Sequence, residues 1–398
     1  MASEWRASTW GDEISLEYGK ALRGHEADQG HFRVFGSNGP IGWTSEPLAN
    51  GPGVILGRKG AYRGVQYSRE PFFVIDTAYY VVPKSEVDMR WLYYAIKHYK
   101  LGEVDDGSPI PSTTRSAVYV LDLDVPPIVE QHAIARVLGI LDDRIELNRR
   151  MNETLDAMAR ALFASWFVNF DAVRAKTEGR DPGLPKHIAD LFPDTFENSE
   201  LGEIPKGWRN EVLGKHMNNF DSKRVPVSGA ERSKRQGPYP YHGAAGVMDH
   251  VDDYLFDGIY LLVGEDGSVV HEDGLGFTQY IWGKCWVNNH AHVLQGKGSV
   301  STEHLYLYFR FAPVAPYVTG AVQPKLSQGR MNLMPFLFPG DDLCQAFAEV
   351  VRPWFERWRA SADEMMTLAA IRDALLPKLI SGELRLRSRA SLVDGATS

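Results

Sequence analysis

The sequence is poor in cysteine, in long apolar runs and in net positive charge, and each shortage excludes a class of protein. Two cysteines, Cys285 and Cys344, occur in 398 residues, which are too few for a disulfide framework. No apolar run reaches the length of about 18 residues that spans a bilayer. The start, MASEWRASTW, lacks the basic and apolar regions of a secretory signal. These absences predict a cytoplasmic protein with no membrane partner.

Motifs for catalysis are also missing. No GxxxxGK[ST] phosphate loop of a translocase occurs, and Pro126-Pro127 lacks the flanking amide and aromatic residues of an amino-methyltransferase motif. His290 and His292 alternate near Cys285, but no second pair at ligand spacing accompanies them. We therefore predict no catalytic residue, no metal and no cofactor, and we expect both histidines to be ordinary residues of a strand.

The formal net charge of −8 argues against a surface that binds nucleic acid everywhere. Any contact with DNA must then come from local basic patches or from a partner protein. A hydrophobic share of 44% and a charged share of 24% are ordinary for a globular chain, and the length indicates about two to three domains.

Two long heptad stripes, one in 126–170 and one near the C-terminus, are the strongest pattern present. Their apolar residues recur at alternating steps of four and three, which is typical of paired helices. The first helix would span roughly 60 Å, too long to be buried in a small domain. We expect the helices to pair antiparallel. The predicted seam residues are Ile134, Leu138, Leu141, Ile145, Leu155 and Leu162 in the first helix and Trp354, Trp358, Met365, Leu368, Leu375 and Leu379 in the second.

Polar residues and prolines interrupt both stripes. Asn148 and Asn152 lie on the first seam, where they either fix the register of the pairing or mark a rotation of the stripe toward solvent. Pro353 removes a backbone donor, so we expect the second helix to begin or kink there, with Phe347 and Val351 in a preceding segment.

The chain contains an internal repeat. Trp5-Arg6 matches Trp208-Arg209 at an offset of 203 (208 − 5), and Gly107 matches Gly320 at an offset of 213 (320 − 107). An offset that grows slowly is expected of two diverged copies. Four glycine pairs lie between these points at an offset of 207, namely Gly36 and Gly243, Gly39 and Gly246, Gly57 and Gly264, and Gly60 and Gly267.

Each copy combines short strands, turns and short amphipathic helices, followed by a long helix. This predicts an α+β fold of two repeated globular domains separated by two long antiparallel coiled-coil helices. The predicted divisions are a first domain at 1–128, a central helix at 129–170, a surface connector at 171–207, a second domain at 208–340, a C-terminal helix at 341–386 and a disordered tail at 387–398.

This order of parts resembles the specificity subunit of type I restriction-modification systems. Besides the repeat, the resemblance rests on 126–148 with its PP and EQ pairs, on 200–208 (ELGEIPKGW) and on 372–384 (RDALLPKLISGEL). The chain departs from the family pattern by starting almost at Trp5 and by offering only Pro339-Gly340 ahead of the second long helix.

The resemblance implies two target recognition domains, each reading one half of a split asymmetric DNA site. It also implies that the helices set the gap between the halves and bind two methyltransferase subunits, and that motor-nuclease subunits join the complex. The chain itself would then be non-catalytic. An alternative of another class is a coiled-coil adaptor with two ligand-binding domains and no role on DNA, which the acidic net charge favours.

Loops at matching places in the two copies are the candidate contacts with double-stranded DNA. The loop 58–64 (RKGAYRG) combines cations, an aromatic ring and glycines that let backbone approach phosphate. The matching segment 264–267 (GEDG) is acidic, so the two copies either read different bases here or contact DNA at different places. The candidates are Arg58, Lys59, Tyr62, Arg63, Thr113, Thr114 and Arg115 in the first copy and Lys223, Arg224, Gln323, Lys325 and Gln328 in the second.

Overall fold

A computed structural model describes residues 5–24, 30–105, 107, 111–200, 202–320 and 322–386. The chain divides into two compact units. Unit 1 comprises Met1–Asn148 and Glu364–Ser398, and unit 2 comprises Arg149–Asp363. Both divisions fall inside long helices, the central helix Ile128–Phe163 and the C-terminal helix Asp341–Ile380. The predicted tail at 387–398 lies outside the described residues.

Unit 1 is built on two small sheets and a ribbon. The four-stranded sheet is antiparallel throughout, and the three-stranded sheet contains one parallel pair. In spatial order the first sheet is Ile14–Tyr18, Ala78–Pro83, Gly53–Gly57 and Val65–Ser68, the second is Gly39–Thr44, Phe32–Gly36 and Phe72–Val74, and the ribbon is Arg6–Thr9 with Asp122–Val125. The shorter helices are Trp10–Glu13, Met89–His98, Leu101–Glu103 and Arg115–Tyr119.

The core of unit 1 lies between the four-stranded sheet, helix Met89–His98 and segments of the long helices. Asp88 caps that helix by accepting a 2.7 Å hydrogen bond from the backbone N–H of Trp91. Trp91 is fully buried, and Ile134 and Leu379 of the two long helices join the same cluster. The long helices therefore complete this globular core instead of packing only on each other.

Unit 2 repeats this arrangement with additional elements. Its four-stranded sheet is Met217–Asn219, Ala291–Gly296, Tyr260–Gly264 and Thr278–Ile281, its second sheet is Val247–Val251, Tyr239–His242, Lys284–Val287 and Phe256–Asp257, and its ribbons are Arg209–Val212 with Pro335–Phe338 and Phe196–Ser199 with Gly202–Pro205. Its shorter helices are Ala164–Val168, Asp171–Thr177, Lys186–Ala189, Leu213–Lys215, Asp221–Lys223, Gly229–Arg232, Thr302–Phe309, Ala315–Tyr317 and Gln328–Asn332.

The predicted repeat is visible in the backbone of the two units. In unit 1 the N–H of Arg58 donates to the carbonyl of Thr77 at 3.0 Å. In unit 2 the N–H of Glu265 donates to the carbonyl of His290 at 2.8 Å. The strand order of the four-stranded sheet is also the same in both units. The prediction of a mixed α+β fold with two repeated globular parts and two long helices is confirmed.

The segment 171–207 differs from the surface connector that its proline and glycine content predicts. It forms helices Asp171–Thr177 and Lys186–Ala189 and a ribbon. Val173 and Phe192 are almost fully buried in the core of unit 2. Apolar residues between the prolines supply enough buried surface to fold this segment onto the unit.

In unit 1 the two long helices run antiparallel. Arg372 donates a 2.8 Å hydrogen bond to Asp142, and Arg144 donates to Glu364 at 2.8 Å, so partners descend along one helix as they ascend along the other. Asn148 is buried at this seam and donates to Glu364 at 2.9 Å.

Unit 2 holds the second antiparallel stretch of the two helices. Asn152 is buried and donates a 3.3 Å hydrogen bond to the carbonyl of Trp358. Both seam asparagines thus bond to the opposite helix, and the alternative in which the stripe rotates to solvent is wrong. Each of the predicted seam residues is buried or half-buried within its unit, namely Ile134, Leu138, Leu141, Ile145, Leu375, Leu379, Met365 and Leu368 in unit 1 and Leu155, Leu162, Trp354 and Trp358 in unit 2.

The expectation that the C-terminal helix begins or kinks at Pro353 is wrong about its start. The helix begins at Asp341 and runs through Pro353. Phe347, Val351 and Phe355 lie on one face of it and are almost fully buried. Burial of each such side chain is worth about 1.5–3 kcal/mol, and together they outweigh the cost of about 3 kcal/mol for an interior proline.

Among the residues that the structure describes, no helix has both the length and the apolar character needed to cross a membrane.

Candidate nucleic-acid interface

Unit 1 gathers two arginines and two tyrosines where four segments meet. Tyr18 ends its strand and pairs in register with Tyr79 on the neighbouring strand, and their rings are 5.1 Å apart. Arg58 follows directly after strand Gly53–Gly57. The guanidinium carbons of Arg58 and Arg115 lie 4.9 and 4.2 Å from the ring centre of Tyr18, within cation–π distance. We call these four residues the arginine–tyrosine cluster.

Hydrogen bonds fix the orientation of the arginine–tyrosine cluster. Arg58 donates to the carbonyl of Asp76 at 2.8 Å, and Arg115 donates to Glu17 at 3.4 Å. The phenol of Tyr79 donates to the carbonyl of Thr113 at 3.2 Å. Burial raises the pKa of Tyr79 to about 12, and its hydrogen bond with Tyr18 adds to the shift. Tyr79 is therefore a neutral donor at physiological pH.

The loop 58–64 divides into residues that face solvent and residues that hold the loop. Lys59 is exposed, and Tyr62 is 76% exposed. Arg63 instead turns back and donates to the carbonyls of Gly102 at 2.7 Å and Gly60 at 2.8 Å. DNA contact was predicted for three cations of this loop. One of them, Arg63, stabilises the loop through hydrogen bonds to backbone carbonyls.

Thr113 and Thr114 also have local structural roles. Thr113 is fully buried and its hydroxyl donates to the carbonyl of Val104 at 3.0 Å. Thr114 caps helix Arg115–Tyr119 by accepting from the N–H of Ala117. DNA contact was predicted for both residues. In the structure, both hydroxyls instead form hydrogen bonds with backbone groups of unit 1.

A close approach of chain segments sets where the loop begins. A Cβ on Gly57 would lie 2.3 Å from the carbonyl oxygen of Ser37, so only glycine fits. Its counterpart Gly264 in unit 2 is equally confined, 2.3 Å from the carbonyl oxygen of Ser268. This explains on physical grounds why the glycine pair persists in the repeat.

Unit 2 places a charged cluster at the equivalent position. His292 lies on strand Ala291–Gly296 and contacts Asp221 at 2.5 Å through Nδ1. Its Nε2 contacts the carbonyl of Leu326 at 2.8 Å, the counterpart of the bond from Tyr79 to Thr113. Glu265 stands where Arg58 stands in unit 1, since its carbonyl accepts from the N–H of Leu326 at 2.8 Å.

Internal cations neutralise the carboxylates of this cluster. Arg224 pairs with Glu265 at 2.7 Å and with Asp221 at 3.4 Å, and its side chain is only 11% exposed. Burial opposes ionisation of Asp221, but hydrogen bonds from His292, Asn219 and the backbone outweigh it and hold the pKa of Asp221 below its usual range. The prediction that Arg224 contacts DNA is therefore at odds with its position, because it is an internal counter-ion.

Asp221, Glu265 and His292 lie close enough to suggest a metal site, with ligand atoms within 4.8 Å of one another. Both ring nitrogens of His292 already face oxygen acceptors, and Arg224 occupies the space between the carboxylates. The donor set therefore forms an ion-pair network with poor access for a cation. His292 is the hydrogen-bonded histidine of a strand that the sequence predicts.

The remaining candidates of unit 2 lie on the surface. Lys223 is exposed, with its ammonium 5.2 Å from the ring centre of Phe220. Gln323 and Gln328 are exposed, and the side chain of Lys325 is 50% exposed while its ammonium pairs with Glu265 at 3.3 Å.

The sequence alone did not indicate the roles of four residues, Tyr18, Tyr79, Asp221 and Glu265. Alignment of the strands of the two copies by their shared register would have identified them.

Comparison with known proteins finds similarity to one group of proteins. The family model of the type I restriction modification DNA specificity domain matches residues 5–157. The specificity subunit of the type I restriction enzyme MjaIX from Methanocaldococcus jannaschii is 26% identical over 328 residues, covering 77% of this chain and 71% of that protein. The HindI specificity subunit from Haemophilus influenzae is 23% identical over 375 residues, covering 78% of this chain and 81% of that protein. Residues 5–157 therefore match a type I DNA specificity domain, and the chain is similar over about three quarters of its length to type I specificity subunits.

A solved structure shares the fold of this chain. A crystal structure of a type I restriction-modification system S subunit from M. genitalium has a TM-score of 0.61 at 17% identity and covers 94% of this chain and 96% of that one. The resemblance predicted from the repeat and its flanking stretches is thereby confirmed. The arginine–tyrosine cluster lies within the matched specificity domain.

Proposed function

We propose that this chain selects the DNA sequence on which a type I restriction-modification complex acts, with each unit reading one half of a bipartite asymmetric site. The observation that carries the proposal is the repeat of one strand order in both units, each with polar side chains at the same strand ends. Two such sites on one chain suit a target whose halves differ.

The arginine–tyrosine cluster supports direct contact with bases. Guanidinium groups recognise the O6 and N7 acceptors of guanine in the major groove, and lysine neutralises phosphate. Arg58 and Arg115 stack on a ring that limits their motion, and Lys59 beside them is exposed. Local basic groups of this kind can bind DNA although the formal net charge is −8. At the equivalent position in unit 2, the negative charge of the acids is neutralised by internal ion pairs.

The catalytic work and its cofactors belong to partner subunits in this proposal. Two methyltransferase subunits would dock on the chain and methylate adenine, and motor-nuclease subunits would cleave unmodified DNA. A flipped adenine requires an enclosed pocket with its own catalytic groups, which the partner subunit would supply. We place this complex in the cytoplasm as part of the same proposal.

The direct test is to co-express the chain with its cognate methyltransferase subunit in cells that lack other adenine methylation and to map modified adenines by sequencing. We expect methylation at one split, asymmetric sequence with a constant gap. The methyltransferase subunit expressed alone is the control and should leave no such pattern. Absence of any split site in the presence of both proteins would overturn the proposal.

A salt titration separates this function from the adaptor that the net charge favours. When a protein contacts phosphates, the logarithm of its affinity for duplex DNA falls linearly with the logarithm of the salt concentration. We expect a steep slope for the complex on a duplex with the mapped site. An adaptor without a role on DNA would add neither affinity nor slope to the methyltransferase subunit alone.

A further inference from the structure

The acidic segment of unit 2 faces inward, beneath two more exposed side chains. The side chains of Glu265 and Asp266 are 14% and 16% exposed. Their partners lie further out, since the side chain of Lys325 is 50% exposed and that of His290 is 48% exposed. Lys325 pairs with Glu265, and Nδ1 of His290 is hydrogen bonded to Asp266.

These residues occupy the position that the basic loop occupies in unit 1. Asp266 forms an isolated antiparallel bridge with Lys325, and Lys59 forms the matching bridge with Ser112. The backbone carbonyl of His290 accepts a hydrogen bond that corresponds to the one accepted by the carbonyl of Thr77 in unit 1. The two units thus present exposed polar side chains at one place in a shared fold, although the local sequences have opposite charge.

We infer that Lys325 and His290 form the DNA-contacting pair of unit 2 and that Glu265 and Asp266 are positioning residues for them. This inference rests on the proposed function and names the group that reads the second half-site. The ligand is duplex DNA, recognised through phosphate oxygens and polar base edges.

The chemistry of the pair follows from its hydrogen bonds. Lysine is a compact charge on a flexible stem, and the contact with Glu265 restricts that stem before DNA binds. With Nδ1 of His290 engaged by Asp266, Nε2 is the nitrogen that meets DNA. Nε2 donates when the ring carries two protons, and it accepts from an exocyclic amino group of adenine or cytosine when the ring carries one.

Removal of the Asp266 carboxylate distinguishes two explanations of its role, because they predict opposite changes in the affinity for DNA. If the carboxylate only adds negative charge near the polyanion, Asp266→Ala tightens DNA binding. If it positions His290, Asp266→Ala weakens binding to the mapped duplex by about tenfold, the worth of one good polar contact. Asp266→Asn keeps a side-chain oxygen that accepts from Nδ1, and should therefore rescue most of the loss.

The experiment uses the full chain in complex with its methyltransferase subunits. Binding is measured on duplexes that carry single substitutions in either half of the mapped site. We expect Asp266→Ala, His290→Gln and Lys325→Gln to lose discrimination in one half only, and the other half then reports that the chain is folded. The matched control is Lys297→Gln, an exposed lysine just past the opposite end of strand Ala291–Gly296, which should retain discrimination in both halves.

Tighter or unchanged binding by Asp266→Ala overturns the inference, as does equal loss in both halves by His290→Gln. The two proposals fail in different ways. If the unmodified complex shows no split site, the proposed function is wrong. If it reads a split site that the three variants read equally well, only the assignment of Lys325 and His290 is wrong.

Discussion

Asn148 on the central helix donates a 2.9 Å hydrogen bond to Glu364 on the C-terminal helix, and both residues lie in unit 1. The same carboxylate accepts two hydrogen bonds from Arg144, at 2.8 and 3.2 Å. Arg144 and Asn148 are one helical turn apart, so a single glutamate engages two successive turns of the opposite helix. Such a contact is satisfied in one register only, which is how polar seam residues specify pairing.

Replacement of Glu364 by alanine should therefore lower the thermal unfolding midpoint of unit 1. Loss of hydrogen bonds to a charged group costs about 1.5–3 kcal/mol, and each kcal/mol corresponds to about 2–4 °C for a unit of this size. Calorimetry of the full chain measures the shift. The control is Glu153→Ala on the exposed pair of Arg149 and Glu153, which should shift the midpoint by about 1 °C or less. Equal shifts for the two variants would show that the seam contact has no special weight.

Pro353→Ala should stabilise the protein. Pro353 is exposed inside the C-terminal helix, where it cannot donate to the carbonyl of Glu349 one turn earlier. Alanine restores this donor and is expected to add about 1–3 kcal/mol to the stability of unit 2. The neighbouring exposed Arg352→Ala is the control and should change stability by about 0.5 kcal/mol or less. A lower midpoint for Pro353→Ala would mean that the ring itself makes a needed contact.

The long helices were predictable because their apolar residues recur with a helical period, a signal that each sequence window carries by itself. The continuation of the helix through Pro353 was not, since the local cost of proline is visible in sequence and the burial of Phe347 and Phe355 is not. The repeat was predictable from glycine pairs such as Gly57 and Gly264, whose close approaches admit no side chain.

The candidate site was predictable in place but not in detail. Arg58 and Arg63 are the same residue type in one loop, yet one stacks on Tyr18 and the other binds the carbonyl of Gly102. Nothing local distinguishes them, because the difference depends on segments brought together by the fold. Likewise Glu265 reads as a repulsive acid until its pairing with Arg224, 41 residues earlier, is known.

The two arginines should respond differently to substitution. Arg58→Ala removes a group of the arginine–tyrosine cluster and should relax one half-site while leaving the other and the thermal midpoint nearly unchanged. Arg63→Ala leaves the carbonyls of Gly102 and Gly60 without this donor. It should lower the free energy of unfolding of unit 1 by about 1–3 kcal/mol and lower its thermal midpoint accordingly. Methylation mapping and calorimetry on both variants measure these effects. Equal loss of both half-sites by Arg58→Ala would contradict separate reading by the two units.

His304 should make unit 2 sensitive to mild acid. This residue is 2% exposed, and the centre of its imidazole lies 4.8–5.3 Å from the ring centres of Phe163, Phe167 and Phe347. Burial lowers the pKa of His304 to about 3, and the nearby His216 adds a smaller effect in the same direction. The folded state therefore keeps this ring neutral at a pH where an unfolded chain, with a histidine pKa of about 6.5, binds a proton.

The sign of the pH dependence follows from this difference in proton binding. The unfolded state takes up one more proton below about pH 6.5, so stability is fully present above that value and is lost as the pH falls toward 3, by up to about 1.4 kcal/mol per pH unit. We expect the midpoint of the wild-type protein to fall more steeply between pH 7 and 5 than that of His304→Phe, which cannot titrate. His187→Gln, at an exposed histidine of the same unit, is the control and should follow the wild-type curve. Parallel curves for wild type and His304→Phe would show that the buried ring is protonated in the folded state, because a neutral buried imidazole must produce a difference between the two curves.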